Sequence, residues 1–149
     1  METFGKVVEL YISKEKYDGR ISQSELAVDE DGVFVDKFYG KDKVRSILIA
    51  STEAYELIRT NGIEITHGEL GENILVDFDL DLFKVGMQFQ IDNVVLEITQ
   101  NCTICDHLSK IDERVPSLLE NDRGVFAKVL SKGIIYTKSD LQCIKNCNG

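Results

Sequence analysis

Gly86-Met87-Gln88-Phe89-Gln90-Ile91-Asp92-Asn93-Val94-Val95-Leu96-Glu97-Ile98 reads as a β-hairpin, and that reading decides the fold class. Asp92-Asn93 suits a two-residue turn between two β-forming runs. With the turn fixed there, Ile91 faces Val94 and Phe89 faces Leu96, so the large apolar residues share one side of the ribbon.

The same strand chemistry recurs outward from the hairpin. Toward the N-terminus, Val8, Leu10 and Ile12 alternate with Val7, Glu9 and Tyr11, the period-two pattern of a half-buried strand. Residues Lys14 to Glu30 are polar and charged and read as a connection with at most a short element. Gly32 to Gly40 holds the β-formers Val33, Phe34, Val35, Phe38 and Tyr39 between two glycines, and Val44 to Ala50 is a candidate central strand. One substantial helix is expected between Ser51 and Asn61. Ser51 or Thr52 can cap it, Glu53 lies in its first turn, Ala54, Leu57 and Ile58 are helically spaced, and Asn61-Gly62 supplies a left-handed stop. The loop Thr66-His67-Gly68-Glu69-Leu70-Gly71-Glu72-Asn73 and the strand Ile74 to Phe78 follow. Beyond residue 100, Asp112 to Leu119 is expected to hold a short helix broken by Pro116, with strands at Gly124 to Leu130 and Leu141 to Lys145. Six or seven short strands with one clear helix point to a mostly β fold, an antiparallel barrel or sandwich with short helical connections. A chain of 149 residues that is 43% hydrophobic suits one domain, residues 1–149.

Composition excludes several function classes. The formal charge of −9 opposes general nucleic-acid binding, which needs a basic face. No apolar run approaches the ~18–20 residues of a membrane-spanning helix. The N-terminus enters a strand pattern at once, without the basic and apolar regions of a signal peptide, so a cytoplasmic protein is expected. In that setting the four cysteines are expected to be reduced.

Chemistry concentrates in Asn101-Cys102-Thr103-Ile104-Cys105-Asp106-His107-Leu108, directly after a strand. Two of the four cysteines and one of the two histidines lie here within six positions, so soft-metal or sulfur chemistry is expected at this exit. Two other readings stand beside it. Cys105 is also compatible with a small buried apolar residue. Cys102 and Cys105 with Cys143 and Cys147 would make a four-thiolate structural zinc site with a non-enzymatic binding role. A thioredoxin-like dithiol lacks the βαβ context it needs.

The order of motifs resembles the MOSC domain, the module at the C-terminus of molybdenum cofactor sulfurases and in small stand-alone bacterial proteins. The resemblance runs from Phe4 to about Leu141. It rests on Gly5-Lys6-Val7, on Gly32-Val33 through Asp36 to Arg45-Ser46-Ile47-Leu48-Ile49, and on Gly68-Glu69-Leu70-Gly71-Glu72-Asn73-Ile74. The cysteine stretch and Arg123-Gly124-Val125-Phe126-Ala127-Lys128-Val129-Leu130 with Gly133 complete it. The chain departs from the family pattern at Ser139-Asp140, where the family has Gly-Asp, and at Cys102-Thr103-Ile104, where basic or proline residues are usual. The resemblance implies a β-barrel that binds a molybdenum–pterin cofactor (molybdopterin) or carries sulfur for it as a cysteine persulfide. It selects Cys105 as the catalytic thiol and metal ligand, and implies cofactor contacts at Arg45 and at Gly71 and Asn73 of the Gly-Glu-Asn loop. A thiolate and a cofactor phosphate both need positive surroundings, for which Arg45, Arg123 and Lys128 are the candidates; His67 and His107 read as structural side chains before ligands. It also implies either a carrier or a small molybdenum-dependent oxidoreductase, with a separate cysteine desulfurase or an acceptor molybdoenzyme as partner.

Overall fold

A computed structural model describes residues 3–17, 19–79, 83–102, 108–120 and 124–147. The hairpin forms in the expected register. β7 (Gln88–Ile91) and β8 (Val94–Asn101) pair with Ile91 opposite Val94 and Phe89 opposite Leu96, all four buried. The turn places Asp92 at φ +55, a conformation an aspartate tolerates better than most residues.

Around this ribbon the sheet closes into a seven-stranded barrel. In spatial order it contains β11 (Asp140–Lys145), β7, β8, β9 (Val125–Ser131), β5 (Ile47–Ser51), β6 (Ile74–Val76) and β1 (Thr3–Ile12), and β1 pairs back onto β11. Inward-facing residues alternate along each strand: Leu10 and Ile12, Ile47 and Ile49, Ile74 and Val76, Leu96 and Ile98, Ala127 and Val129. They make one apolar interior with Phe83 and Phe89, whose rings meet tilted at 5.2 Å. Closure leaves those seven strands without a free edge on the barrel wall.

All wall pairs are antiparallel except β5 and β6. These two are joined by α1 (Thr52–Thr60), so β5–α1–β6 is a parallel crossover unit where no βαβ step was expected. Ser51 Oγ accepts the Glu53 N–H at 3.0 Å, which caps the helix at the anticipated residue, and Asn61 ends it. Ala54, Tyr55 and Ile58 of α1 pack outside the barrel on Ala50 and Leu75. Leu108 of α2 (Leu108–Ile111) and Val115 of α3 (Val115–Leu118) complete this second core.

Four segments differ from the sequence reading. The candidate central strand at Val44 to Ala50 begins only at Ile47, because Asp42 caps a 3-10 turn over Lys43–Arg45. Residues 14–30 contain β2 (Ile21–Gln23) and β3 (Glu25–Asp29), and β3 pairs with β4 (Gly32–Val33) and β10 (Gly133–Tyr136) in a small second sheet. The β-formers after Val33 leave the strand because Val35 turns to φ +61 and Asp36 draws the chain back toward Ser13. Pro116 does not break α3 but stands in its first turn, where a missing N–H costs nothing.

The cysteines also correct an expectation. Cys143 and Cys147 are joined in a disulfide rather than standing as two thiols. Cys147 Sγ lies 3.6 Å from the Gln88 carbonyl, and Gln88 pairs with Glu97. Cys102 follows five residues beyond Glu97, just past the end of β8, roughly 16 Å away at strand rise. The four-thiolate zinc arrangement is therefore not formed, and among the described residues no cluster of three metal-ligating side chains occurs. No helix of the described residues is long and apolar enough to cross a membrane.

Candidate functional site

Where β1 ends, the loop before β6 and the segment after β4 converge on one cleft. It has a volume of about 560 Å³ and is lined by Arg20, Lys37, His67, Gly68, Gly71 and Ile111, among others. Its floor is set by buried polar contacts. Asp36, 8% exposed, accepts the Ser13 N–H at 2.6 Å and the Phe38 N–H at 3.0 Å, and Lys37 N–H donates to the Ser13 carbonyl. These bonds lock the segment carrying Lys37 to the end of β1.

Behind the opposite wall, Tyr55 of α1 and Glu72 are both fully buried. The Tyr55 hydroxyl accepts the N–H groups of Gly68 and Leu70 at 2.9 and 3.1 Å and lies 2.7 Å from a Glu72 oxygen, to which it donates. The loop is thereby wound around one phenol. Burial pushes the Glu72 carboxyl up, while the Tyr55 hydroxyl, the Gly68 N–H and Arg20 pull it down. Burial, reinforced by the Glu72 charge, also raises the Tyr55 phenol.

Arg20 supplies the cleft's buried positive charge. Its Nη1 lies 3.6 Å from Asp36 Oδ1, too far for a hydrogen bond, and this buried nitrogen has no hydrogen-bond partner. Burial lowers the guanidinium's pKa, opposed by Asp36, Glu72 and Tyr55. An arginine stays charged in a protein, so Arg20 keeps a guanidinium with unused hydrogen-bonding capacity at the cleft. Sequence reasoning passed over Arg20 because it stands in a segment read as a plain connection. Its partner Asp36 is sixteen positions away, and only the fold brings them together.

Of the anticipated residues, Gly71 lines the cleft. Asn73 stands beside it but is committed to the scaffold. Its Oδ1 accepts the Leu48 N–H at 3.0 Å and its Nδ2 donates to the Tyr11 carbonyl at 3.3 Å, bracing β5 and β1 on either side of β6. Arg45 is exposed on a 3-10 turn (Lys43–Arg45), its guanidinium 4.5 Å over the Phe126 ring. Lys128 on β9 pairs with Glu97 of β8 at 3.3 Å, where Gln88 also donates to Glu97. Neither Arg45 nor Lys128 lines the cleft. Cys105, His107 and Arg123 lie outside the described residues. The segment holding Cys105 runs from Cys102, a buried thiol whose N–H donates to the Gly124 carbonyl at 2.9 Å, to α2, whose Ile111 forms part of the cleft wall.

Comparison with known proteins agrees with this architecture. The MOSC domain family matches residues 36–138. The YuaD protein of Bacillus subtilis is similar in structure, with a TM-score of 0.81 at 21% identity over 93% of this chain and 94% of that one. YiiM of Geobacillus stearothermophilus gives 0.78 at 17% identity, covering 97% of this chain and 77% of that one. YiiM of Escherichia coli gives 0.69 at 17% identity, covering 95% and 70%. No curated protein sequence matches the chain.

Proposed function

The chain belongs to the MOSC domain family, and on that premise we propose that it binds a molybdenum–pterin cofactor in the Arg20 cleft, as a cofactor or sulfur carrier or as a small molybdenum-dependent oxidoreductase. The observation that carries the reading is that Arg20, whose buried Nη1 has no hydrogen-bond partner, lines the same cleft as Lys37. A pterin cofactor of this kind presents a phosphate, and an arginine with an adjacent ammonium binds phosphate through charge-assisted hydrogen bonds. The donor set fits the group.

Each residue then has a distinct task. Arg20 and Lys37 hold the phosphate, and Asp36 holds Arg20 and the Lys37 backbone in place. Tyr55 and Glu72 fix the glycine loop so that Gly71 forms a close wall without a side chain. Cys105 supplies the soft donor, since a thiolate suits molybdenum or a sulfane sulfur. When bound, the molybdenum supplies redox chemistry that these side chains lack. A separate cysteine desulfurase or an acceptor molybdoenzyme is the partner in this reading, and the cytoplasm is its setting.

The test is expression in a host competent in pterin cofactor synthesis, followed by molybdenum analysis and pterin fluorescence on the purified protein. Near-stoichiometric molybdenum with pterin is expected for the wild type. Arg20→Ala should lose both by roughly tenfold or more, the worth of one charge-assisted phosphate contact. Cys105→Ser should retain pterin weakly and lose the metal. A wild-type protein that carries neither molybdenum nor pterin sinks the reading.

A further inference from the structure

Phosphate binding by Arg20 and Lys37 leaves a third residue of the same cleft unexplained. His67 lines it, with its side chain 27% exposed. The imidazole is positioned from two sides. Its Nδ1 lies 3.8 Å from Glu9 Oε1, and the other Glu9 oxygen accepts the Tyr11 hydroxyl. Its ring meets the Tyr55 ring edge-on, with centroids 4.9 Å apart. The backbone beside it has no latitude: Gly68 sits at φ +97, and a Cβ there would come within 3.1 Å of the Tyr11 ring. With Nδ1 turned to Glu9, Nε2 is the ring nitrogen left for a ligand.

The ionisable groups around His67 are Glu9 and Tyr11 from β1, Tyr55 from α1, Glu69 and Glu72 from its own loop, and Arg20 and Lys37 from the neighbouring walls. Glu69 is occupied within the loop, accepting the Thr66 N–H at 2.5 Å. Glu72 is occupied by Tyr55. The charge balance of the cleft therefore depends on whether His67 carries a proton. Imidazole is the ordinary side chain whose charge changes between pH 5 and 8.

We propose that the cleft is a proton-coupled oxyanion site, in which protonated His67 joins Arg20 and Lys37 as a third cation, so that binding of a phosphate-class dianion takes up a proton and loss of that proton releases it. This rests on the reading of the cleft as an anion site and adds its regulation. The coupling is reciprocal: a dianion that prefers the imidazolium must itself raise the pH at which His67 loses its proton.

Sulfate is the probe, because it stays a dianion from about pH 5.5 to about pH 8, so any pH dependence belongs to the protein. Binding is followed by amide chemical shifts at constant ionic strength, at about pH 8 and about pH 5.5. Affinity should rise roughly tenfold on acidification, the worth of one charge-assisted contact. In His67→Gln, checked for folding by circular dichroism, sulfate should still bind through Arg20 and Lys37 with a flat pH profile. The wild-type His67 ring resonance, one of two histidines in the chain, should titrate about one pH unit higher in saturating sulfate. An unmoved His67 midpoint, a pH slope that survives in His67→Gln, or no sulfate binding at either pH overturns the proposal. Arg20-dependent sulfate binding of equal strength at both pH values removes the proton coupling and leaves the anion cleft intact. Loss of the cofactor reading itself would appear separately, as absence of molybdenum and pterin from the purified protein.

Discussion

At the scale of single residues, the Gly-Glu-Asn motif proves to be mainly a folding device. Glu72 terminates a relay in which two loop N–H groups converge on the Tyr55 hydroxyl and that hydroxyl donates to the carboxylate. Asn73 uses its amide as a surrogate backbone unit between neighbouring strands. Tyr55→Phe would remove the hydroxyl that accepts from the Leu70 amide, leave the Gly68 amide only its longer 3.3 Å bond to Glu72, and withdraw a donor from a buried carboxylate. Each stranded buried group costs ~1–3 kcal/mol, so a loss of about 3 kcal/mol is expected, read from urea denaturation midpoints. A variant within about 0.5 kcal/mol of wild type would mean that water replaces the hydroxyl and that the loop does not depend on it.

Among the elements, what was legible in the sequence is what depends on near neighbours. The Asp92-Asn93 turn, the Ser51 cap and the Asn61 stop are each encoded within a few residues, and each stands where the local chemistry puts it. The strand at Leu141 to Lys145 was also legible, but its partly exposed residues do not name β1 and β7 as its partners, so the seven-stranded closure was not. The β3–β10 pairing was not legible. It joins Leu26 to Ile135 across more than a hundred residues, and neither strand has a turn signal that names its partner. The cleft was half legible: Gly71 was visible as a loop glycine, whereas Arg20 gains its meaning only when Asp36 is folded beneath it. A tight joint shows how closely the elements fit. Gly124 has φ +116, and a Cβ there would stand 2.8 Å from the Ile49 carbonyl, where β9 begins beside β5. Gly124→Ala combines backbone strain with a contact to main chain that cannot swing away, so a cost of at least about 2 kcal/mol is expected. Thermal unfolding reads it, and an unchanged midpoint would show that β9 shifts freely at its start.

For the whole molecule, stability should carry the signature of Glu72. Its folded pKa is raised, so between the ordinary carboxylate value and that raised value the folded chain binds more protons than the unfolded one. The slope of unfolding free energy with pH is then negative, and the Glu72 contribution is lost as pH rises through this window. Glu72→Gln should flatten the decline while its carbonyl still accepts from Tyr55, and urea titrations at several pH values would show it. An equal decline in the variant would assign the effect to other groups. A different consequence follows from the seam of the barrel, where Thr3 lies opposite Gln142 and Lys6 opposite Asp140. β1 leaves the ribosome long before β11, so the earlier strand waits for all the elements between them before its neighbour exists. Until then the apolar side of β1 has an open flank, and the nascent chain carries a sticky strand. A fold sealed by its two most distant strands completes only after translation has passed them both, which makes the interval between them the time of greatest exposure to aggregation and to chaperones.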